Sequence, residues 1–377
     1  MYAVGSELVS FVEEIAPLSW ALPGDASGLQ WGDLSRREPG ILLALDFSLE
    51  VLAEATAKGI SFIITHHPFL YRPLSCLDLR HKRDALIAQA LKEDITLYAA
   101  HTNLDVAPRG VNQALGELFG LDEMQLLYQT GHEGLEKLVV FVPAGYEDEV
   151  RQALAEAGAG WIGNYSHCTF QHLGTGTFLP REGSSPFIGA ENSLEKVREY
   201  RLETILYRRD RRQVIEALLA VHPYEEVAYD LYPLVNEKLG RGLGRIGRLT
   251  EKITLRELAA RCDVLLQPDF INVIGDLEMC VEKVAVLGGS GAEYIPYALQ
   301  CGAQVYISGD IKYHEAQEAA REGLALIDAG HAATERPVLP VLARFLEEKI
   351  DQAGLKTRVT VYREQETLWQ PLKRIGP

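Results

Sequence analysis

The feature that most restricts this chain is a strand–helix alternation that occurs twice. In residues 40–120, the run ILLALDF (41–47) precedes a helical pattern over Glu50–Lys58. The β-branched and aromatic run SFIIT (61–65) follows, then a helix over His81–Glu93, the strand ITLYAA (95–100) and a helix over Val111–Phe119. The same rhythm returns at 283–350. There KVAVLGGSG, AQVYISGD and LALIDAGH read as strands, GAEYIPYALQCG and YHEAQEAAREG as helices, ATERPVLPVLARFLEEKI as the closing helix and VTVYRE (359–364) as a last strand. Apolar runs too short for helices, separated by helical patterns, predict βαβ units on a largely parallel sheet. The two blocks predict two similar three-layer α/β lobes.

Between them the pattern changes. KLVVFVPA, GYEDEVRQALAEAG, NYSHCTFQHLGTGTFLP, RLETILYRR, RQVIEALLAVHP and EVAYDLYPL give the order β-α-β-β-α-β. That order predicts an inserted ferredoxin-like α+β domain. The expected division is therefore 1–130, a first lobe; 131–240, the insertion; and 241–377, a second lobe. GRGLGRIG, at the return, contains G-x-G-x-x-G at Gly242, Gly244 and Gly247. It lacks the preceding apolar strand of a dinucleotide site and reads as a flexible linker.

A net charge of −16 argues against nucleic acid as a partner, since phosphate binding needs a basic surface. No apolar run approaches the ~18 residues of a membrane span. The first segment, with Glu7, Glu13 and Glu14, reads as an amphipathic helix rather than a signal peptide. Five scattered cysteines without a C-x-x-C pair fit a reduced cytoplasmic protein.

Chemistry-bearing residues gather at strand ends, where parallel α/β sheets bind ligands. His66 and His67 close one strand, HTNLD supplies His101 and Asp105 after the next, and DAGHAATE supplies Asp328, His331 and Glu335. His331 and Glu335 share one helix face. Singly, each group has a structural reading: buried histidines, an i, i+4 surface pair, an N-cap aspartate. Together, three imidazoles and two carboxylates exceed what one tetrahedral ion needs and predict two divalent cations bridged by a carboxylate. Zinc suits this donor mixture, with manganese, iron, cobalt and nickel also compatible. His101 and His314 are candidate proton carriers. SGDIKYHEA places Asp310, Lys312, Tyr313 and His314 near the proposed site as groups that support its ligands or contact substrate, with helix capping the plainer reading of Asp310. Arg72, Lys312 and Arg336 are candidate phosphate contacts, and GGSG (288–291) a short candidate anion turn. HPYEEVAYD offers a further metal reading at His222, Glu225 and Glu226, against the plainer one of a turn before an alternating strand.

THHPF, HTNLDVAPRGVN, SGDIKYHEA and DAGHAATER resemble the signatures of the GTP cyclohydrolase I type 2 homologue family, also called NGG-one-interacting-factor-three-like. GNYSHCTFQ, GTFLP, PFIG and HPYEEVAYDLYPL resemble the PII/CutA-like domain inserted in longer bacterial members. The resemblance implies a dinuclear site between two lobes, with His66, His67, Asp105, His331 and Glu335 as ligands and Glu335 bridging. It further implies a toroidal homohexamer and hydrolytic opening of the guanine imidazole ring of GTP. A different dinuclear hydrolase (a phosphoesterase or amidohydrolase) and a non-catalytic, metal-dependent regulatory assembly are the alternatives. One departure stands out: GDASGLQWG carries Ala26 and Ser27 where members often have Asp-Asn.

Overall fold

Ile41, Leu42 and Leu43 are fully buried, as are Phe62, Ile63 and Leu97, so neighbouring residues on these strands bury side chains on both sheet faces. Each such side chain contributes roughly 1.5–3 kcal/mol on burial. The computed structural model, which describes residues 1–363, pairs these strands in a five-stranded sheet ordered Arg358–Val361, Gly40–Ala44, Phe62–Thr65, Thr96–Ala99, Gly28–Trp31. The first four run parallel and Gly28–Trp31 is antiparallel. The last strand of the described chain thus joins the sheet begun at residue 40. Glu364, the end of the expected VTVYRE strand, lies outside the described residues.

A second parallel set, Cys280–Ser290, Val305–Gly309 and Ala325–Asp328, carries Asn272–Ile274 antiparallel on one side and the strand Tyr229–Thr254 antiparallel on the other. The fold is mixed α/β with several sheets. GRGLGRIG is therefore not a flexible linker: Arg245, Ile246 and Gly247 pair with Val286, Ala285 and Val284. Its glycines permit close packing, because a Cβ at Gly242 would overlap the Tyr128 carbonyl and one at Gly244 would lie 2.8 Å from Leu127 Cβ. Sequence periodicity could not reveal this, since the constraint comes from a segment more than a hundred residues away.

The N-terminal helix Gly5–Ile15 buries Leu8, Val12 and Ile15, one face of a helical period. The expected closing helix is two helices, His331–Glu335 and Val338–Gln352. Pro337, lacking an N–H, interrupts the ladder between them. Among the described residues no helix is long and apolar enough to cross a membrane.

The chain divides into two compact units, residues 1–130 with the segment from Arg241 onward, and Gly131–Gly240. Within the latter, Glu195–Tyr207 pairs antiparallel with Thr169–Phe178 and with residues 135–143 of the strand Leu121–Pro143. Helices Glu147–Glu156 and Arg211–Val221 bury Val150, Leu154, Val214 and Leu218 in a core with Leu138, Val140, Leu202 and Leu206.

Candidate metal centre

His66 and His67 follow the strand Phe62–Thr65, and their backbone N–H groups still bond Ala44 and Leu45 carbonyls at 3.1 and 2.9 Å. The extended pairing fixes both residues before any side chain acts. His101 precedes the short helix Thr102–Asp105, and His331 opens the helix that ends at Glu335. These three strand ends meet. The His66 ring centroid lies 5.0 Å from that of His67 and 5.3 Å from that of His101, and His67 lies 5.2 Å from His331.

Every one of the four imidazoles is anchored through Nδ1. His66 bonds the Ala100 carbonyl at 2.8 Å, His67 the Asp46 carboxylate at 2.8 Å, His101 that of Asp25 at 2.6 Å and His331 that of Asp310 at 2.7 Å. With Nδ1–H donated outward, each ring turns Nε2 inward, and Nε2 becomes the ligating lone pair once a cation takes the place of its proton, which is how ligating histidines are oriented. The Nε2 atoms converge on two carboxylates. His66 Nε2 is 3.4 Å from Asp105 Oδ1 and 3.6 Å from Glu335 Oε1; His67 Nε2 is 3.0 Å from Glu335 Oε2, and His331 Nε2 is 3.2 Å from Glu335 Oε1. His67 and His331 bring their Nε2 atoms within 3.3 Å of each other.

The surrounding backbone makes room for Glu335. Gly289 has φ +75° and a Cβ there would overlap the Glu335 carboxylate. Gly288 N–H donates to Asn112 Oδ1 at 3.0 Å and Gly289 N–H to Thr334 Oγ1 at 2.9 Å. Those N–H groups are consumed inside the protein, so GGSG is a seat for a carboxylate and not the anion-holding turn its sequence allows. Asn112 also donates to the Asp105 carbonyl at 2.9 Å, tying Gly288 to the Asp105 turn.

Burial disfavours charge on His66 and His67, but nearby carboxylates override it and raise both, His67 to about 10. His331 is raised to about 9, again against burial, by Glu335 and Asp310. Glu335 is held well below the usual carboxylate range despite complete burial, because His66, His331 and His67 surround it. Asp105 is raised, by burial first and the Glu335 charge as well, with His66 opposing. The site thus calls for positive charge at its centre. Among the described residues, His66 Nε2, Asp105 Oδ1 and Glu335 Oε2 are moreover buried with only the imidazole–carboxylate approaches just given, none of them a well-formed hydrogen bond. Such groups cost about 1–3 kcal/mol each when left unsatisfied. Imidazole nitrogens and carboxylate oxygens with this orientation fit a divalent cation, and two groups, His66–His67–His101 and His67–His331–Glu335, have ligand atoms close enough to hold one.

The other candidates fall outside this constellation. His314 is exposed and packs on the Tyr313 ring. Arg72 and Lys312 are exposed, while Arg336 donates to the Leu266 carbonyl at 3.1 Å and the Gln267 carbonyl at 3.3 Å, closing a helix end. Asp328 accepts N–H groups from Gly330 and Ile311 and shapes the turn before His331. The Ser27 hydroxyl donates to the Asp25 carboxylate and lies 3.0 Å from Asn103 Oδ1, so the departure at Ala26–Ser27 sits in the network that orients His101.

This set of side chains spans residues 25–335, and a family profile matches across nearly the same span: that of Duf34/NIF3 (NGG1p interacting factor 3) covers residues 3–367. The chain belongs to the Duf34/NIF3 family. Among its relatives, a "GTP cyclohydrolase 1 type 2 homolog" of Halalkalibacterium halodurans is 43% identical over 350 residues, covering 93% of both chains. One of the same name from Bacillus subtilis is 44% identical over 329 residues, 87% of this chain and 88% of that one. A crystal structure described as a Bacillus cereus protein related to NIF3 superposes with a TM-score of 0.92 at 42% identity, over 99% of this chain and all of the other.

Proposed function

We propose that this Duf34/NIF3 member holds two divalent cations and acts as a metal-dependent hydrolase, with GTP, opened at its guanine imidazole ring, as the substrate to test. The observation that carries the reading is the trio of buried atoms that lack a well-formed hydrogen bond among the described residues, His66 Nε2, Asp105 Oδ1 and Glu335 Oε2, inside a ring of outward-anchored histidines. His66, His67, Asp105, His331 and Glu335 would hold the cations. Glu335 faces His67 through one oxygen and His66 and His331 through the other, which suits it to bridge. Zinc matches the donors best, and manganese, iron, cobalt and nickel are the competing occupants.

Bound cations of this kind lower the pKa of water and stabilise developing negative charge. His101 is the residue placed to accept or return a proton, since its ring lies beside His66 and Asp25 fixes its tautomer. His314, exposed on its helix, has no part in this reading. The two parallel strand sets are read as two lobes facing this centre, Gly131–Gly240 as a ferredoxin-like, PII/CutA-like insertion, and the assembly as a toroidal homohexamer in the cytoplasm. The relatives' printed name supports the choice of GTP as first substrate. Purified, zinc- or manganese-loaded protein incubated with GTP is expected to release formate. Formate release no faster than that of a His67→Ala, Glu335→Ala double variant would discard GTP hydrolysis, and unchanged metal content in that variant would discard the centre itself.

A further inference from the structure

The unit Gly131–Gly240 contains a cavity of about 520 Å³, within the size range of small-molecule sites. Its wall combines aromatic rings with carboxylates. Tyr224 lies 5.9 Å from Phe178 and 6.3 Å from Phe187, ring centre to ring centre. Glu199, Glu225 and Glu226 line the same space, and Arg181 is the basic side chain among the lining residues.

Glu199 is the informative group. It sits mid-sheet on the strand Glu195–Tyr207, only 7% exposed. Its Oε1 accepts the Tyr224 hydroxyl at 2.9 Å, and among the described residues no hydrogen bond or ion pair is made by Oε2. Gly176 on the neighbouring strand is bare where a Cβ would overlap this carboxylate. The fold therefore keeps space for this carboxylate, and among the described residues no ion pair neutralises it, Arg181 lining the cavity without reaching it. A buried carboxylate in that state is costly unless something positive reaches it.

The HPYEE turn, which the sequence left between a metal site and a plain turn, builds one side of this cavity. His222 donates through Nε2 to the Phe141 carbonyl at 3.0 Å and accepts the Tyr224 N–H at Nδ1, 3.1 Å. Both ring nitrogens are occupied by backbone, and burial lowers the pKa of the imidazole, so His222 is a neutral anchor and not a ligand. It locks the turn that presents Tyr224 to Glu199. Glu225 meanwhile accepts the Ser185 N–H at 2.8 Å, tying the turn to the segment that carries Phe187.

Aromatic faces attract cations, and a carboxylate adjoining them supplies a charge-assisted hydrogen bond. We propose that this cavity binds a small organic cation, a protonated amine or guanidinium on an apolar body, with its charged head on Glu199 and its body against Phe178, Phe187 and Tyr224. The three carboxylates against one guanidinium among the lining side chains favour that sign of charge. The proposal stands on the cavity alone and is independent of the metal centre.

The test uses the full chain, with phenethylammonium and agmatinium as probes, 2-phenylethanol as the uncharged counterpart and 3-phenylpropionate as the anionic one, titrated by calorimetry and ligand-observed NMR. At least one of the two cations is expected to bind, with about tenfold weaker binding in Glu199→Gln, the cost of losing a charge-assisted hydrogen bond. Phe187→Ala, which truncates a half-exposed ring, is expected to weaken binding without altering the fold. Metal content and circular dichroism of both variants should match the parent. Failure of both cations to bind up to about 10 mM, equal binding of 2-phenylethanol, or full affinity in Glu199→Gln that remains folded would each overturn the assignment.

Discussion

Gly289→Ala separates backbone strain from loss of the proposed metal seat. Gly289 has φ +75°, and forcing an alanine into that region costs about 1–2 kcal/mol. Gly59 provides a matched control at φ +64°, where among the described residues nothing lies within 4 Å of the added Cβ. Gly59→Ala should therefore show strain alone, a loss of about 1–2 kcal/mol in urea unfolding with metal affinity intact. At Gly289 the new Cβ also lands on the Glu335 carboxylate, whose oxygens lie 3.0 Å from His67 Nε2 and 3.2 Å from His331 Nε2. Thr334 holds the Gly289 N–H, so the loop cannot retreat without breaking that bond. The carboxylate must shift, and metal affinity should fall by about 10–100-fold, equivalent to about 1.4–2.8 kcal/mol. Competition with a chromophoric chelator reads this directly. Equal metal affinity in Gly289→Ala and Gly59→Ala would refute the placement of Glu335 at the cation.

Asp46→Ala and Asp310→Ala remove the outward anchors of His67 and His331 and should each weaken metal binding about 10–100-fold, measured by the same competition. Without a cation, the carboxylates around His67 and His331 outweigh burial and push the two imidazoles up from 6.5 to about 10 and about 9. Raised folded-state values stabilise the fold fully below 6.5 and cease to do so as pH climbs through 9 to 10. Thermal unfolding of chelator-treated protein should accordingly fall over that window relative to metal-loaded protein; a flat difference would contradict the shifts. Cation binding must displace those protons, so apparent metal affinity should rise with pH across the same range, and calorimetry in buffers of different ionisation enthalpy should show proton release. Ser27→Ala removes a donor to Asp25 and should reduce turnover, if present, with little effect on metal content, because Asp25 orients His101.

The α/β class was readable because the strands are short, β-branched and buried on both faces, while the helices between them keep a 3.6-residue period. Strand ends pointed to His66, His67, Asp105, His331 and Glu335, since each parallel strand set delivers its carboxyl ends to one edge; that the ends of two different sheets meet is set by tertiary packing. Less visible were the anchors. Asp46 and Asp25 act on histidines 21 and 76 residues away, a pairing no local spacing records. Asp46 did carry a signal, for it too follows a sheet strand, Gly40–Ala44. Asp310 was legible as a supporting group near the site, and it takes that part by anchoring His331. The glycines of GRGLGRIG and GGSG were ambiguous for a different reason. A glycine is selected by what approaches it, Tyr128 at Gly242 and Glu335 at Gly289, and that neighbour is set by tertiary packing.

Metal analysis by plasma emission, reported as ions per chain, bears most directly on the centre. The account predicts two divalent ions per chain after loading with zinc or manganese and gel filtration, and their loss in the His67→Ala, Glu335→Ala variant. A folded protein that retains none after loading, or a double variant that retains as many as the parent, would contradict it.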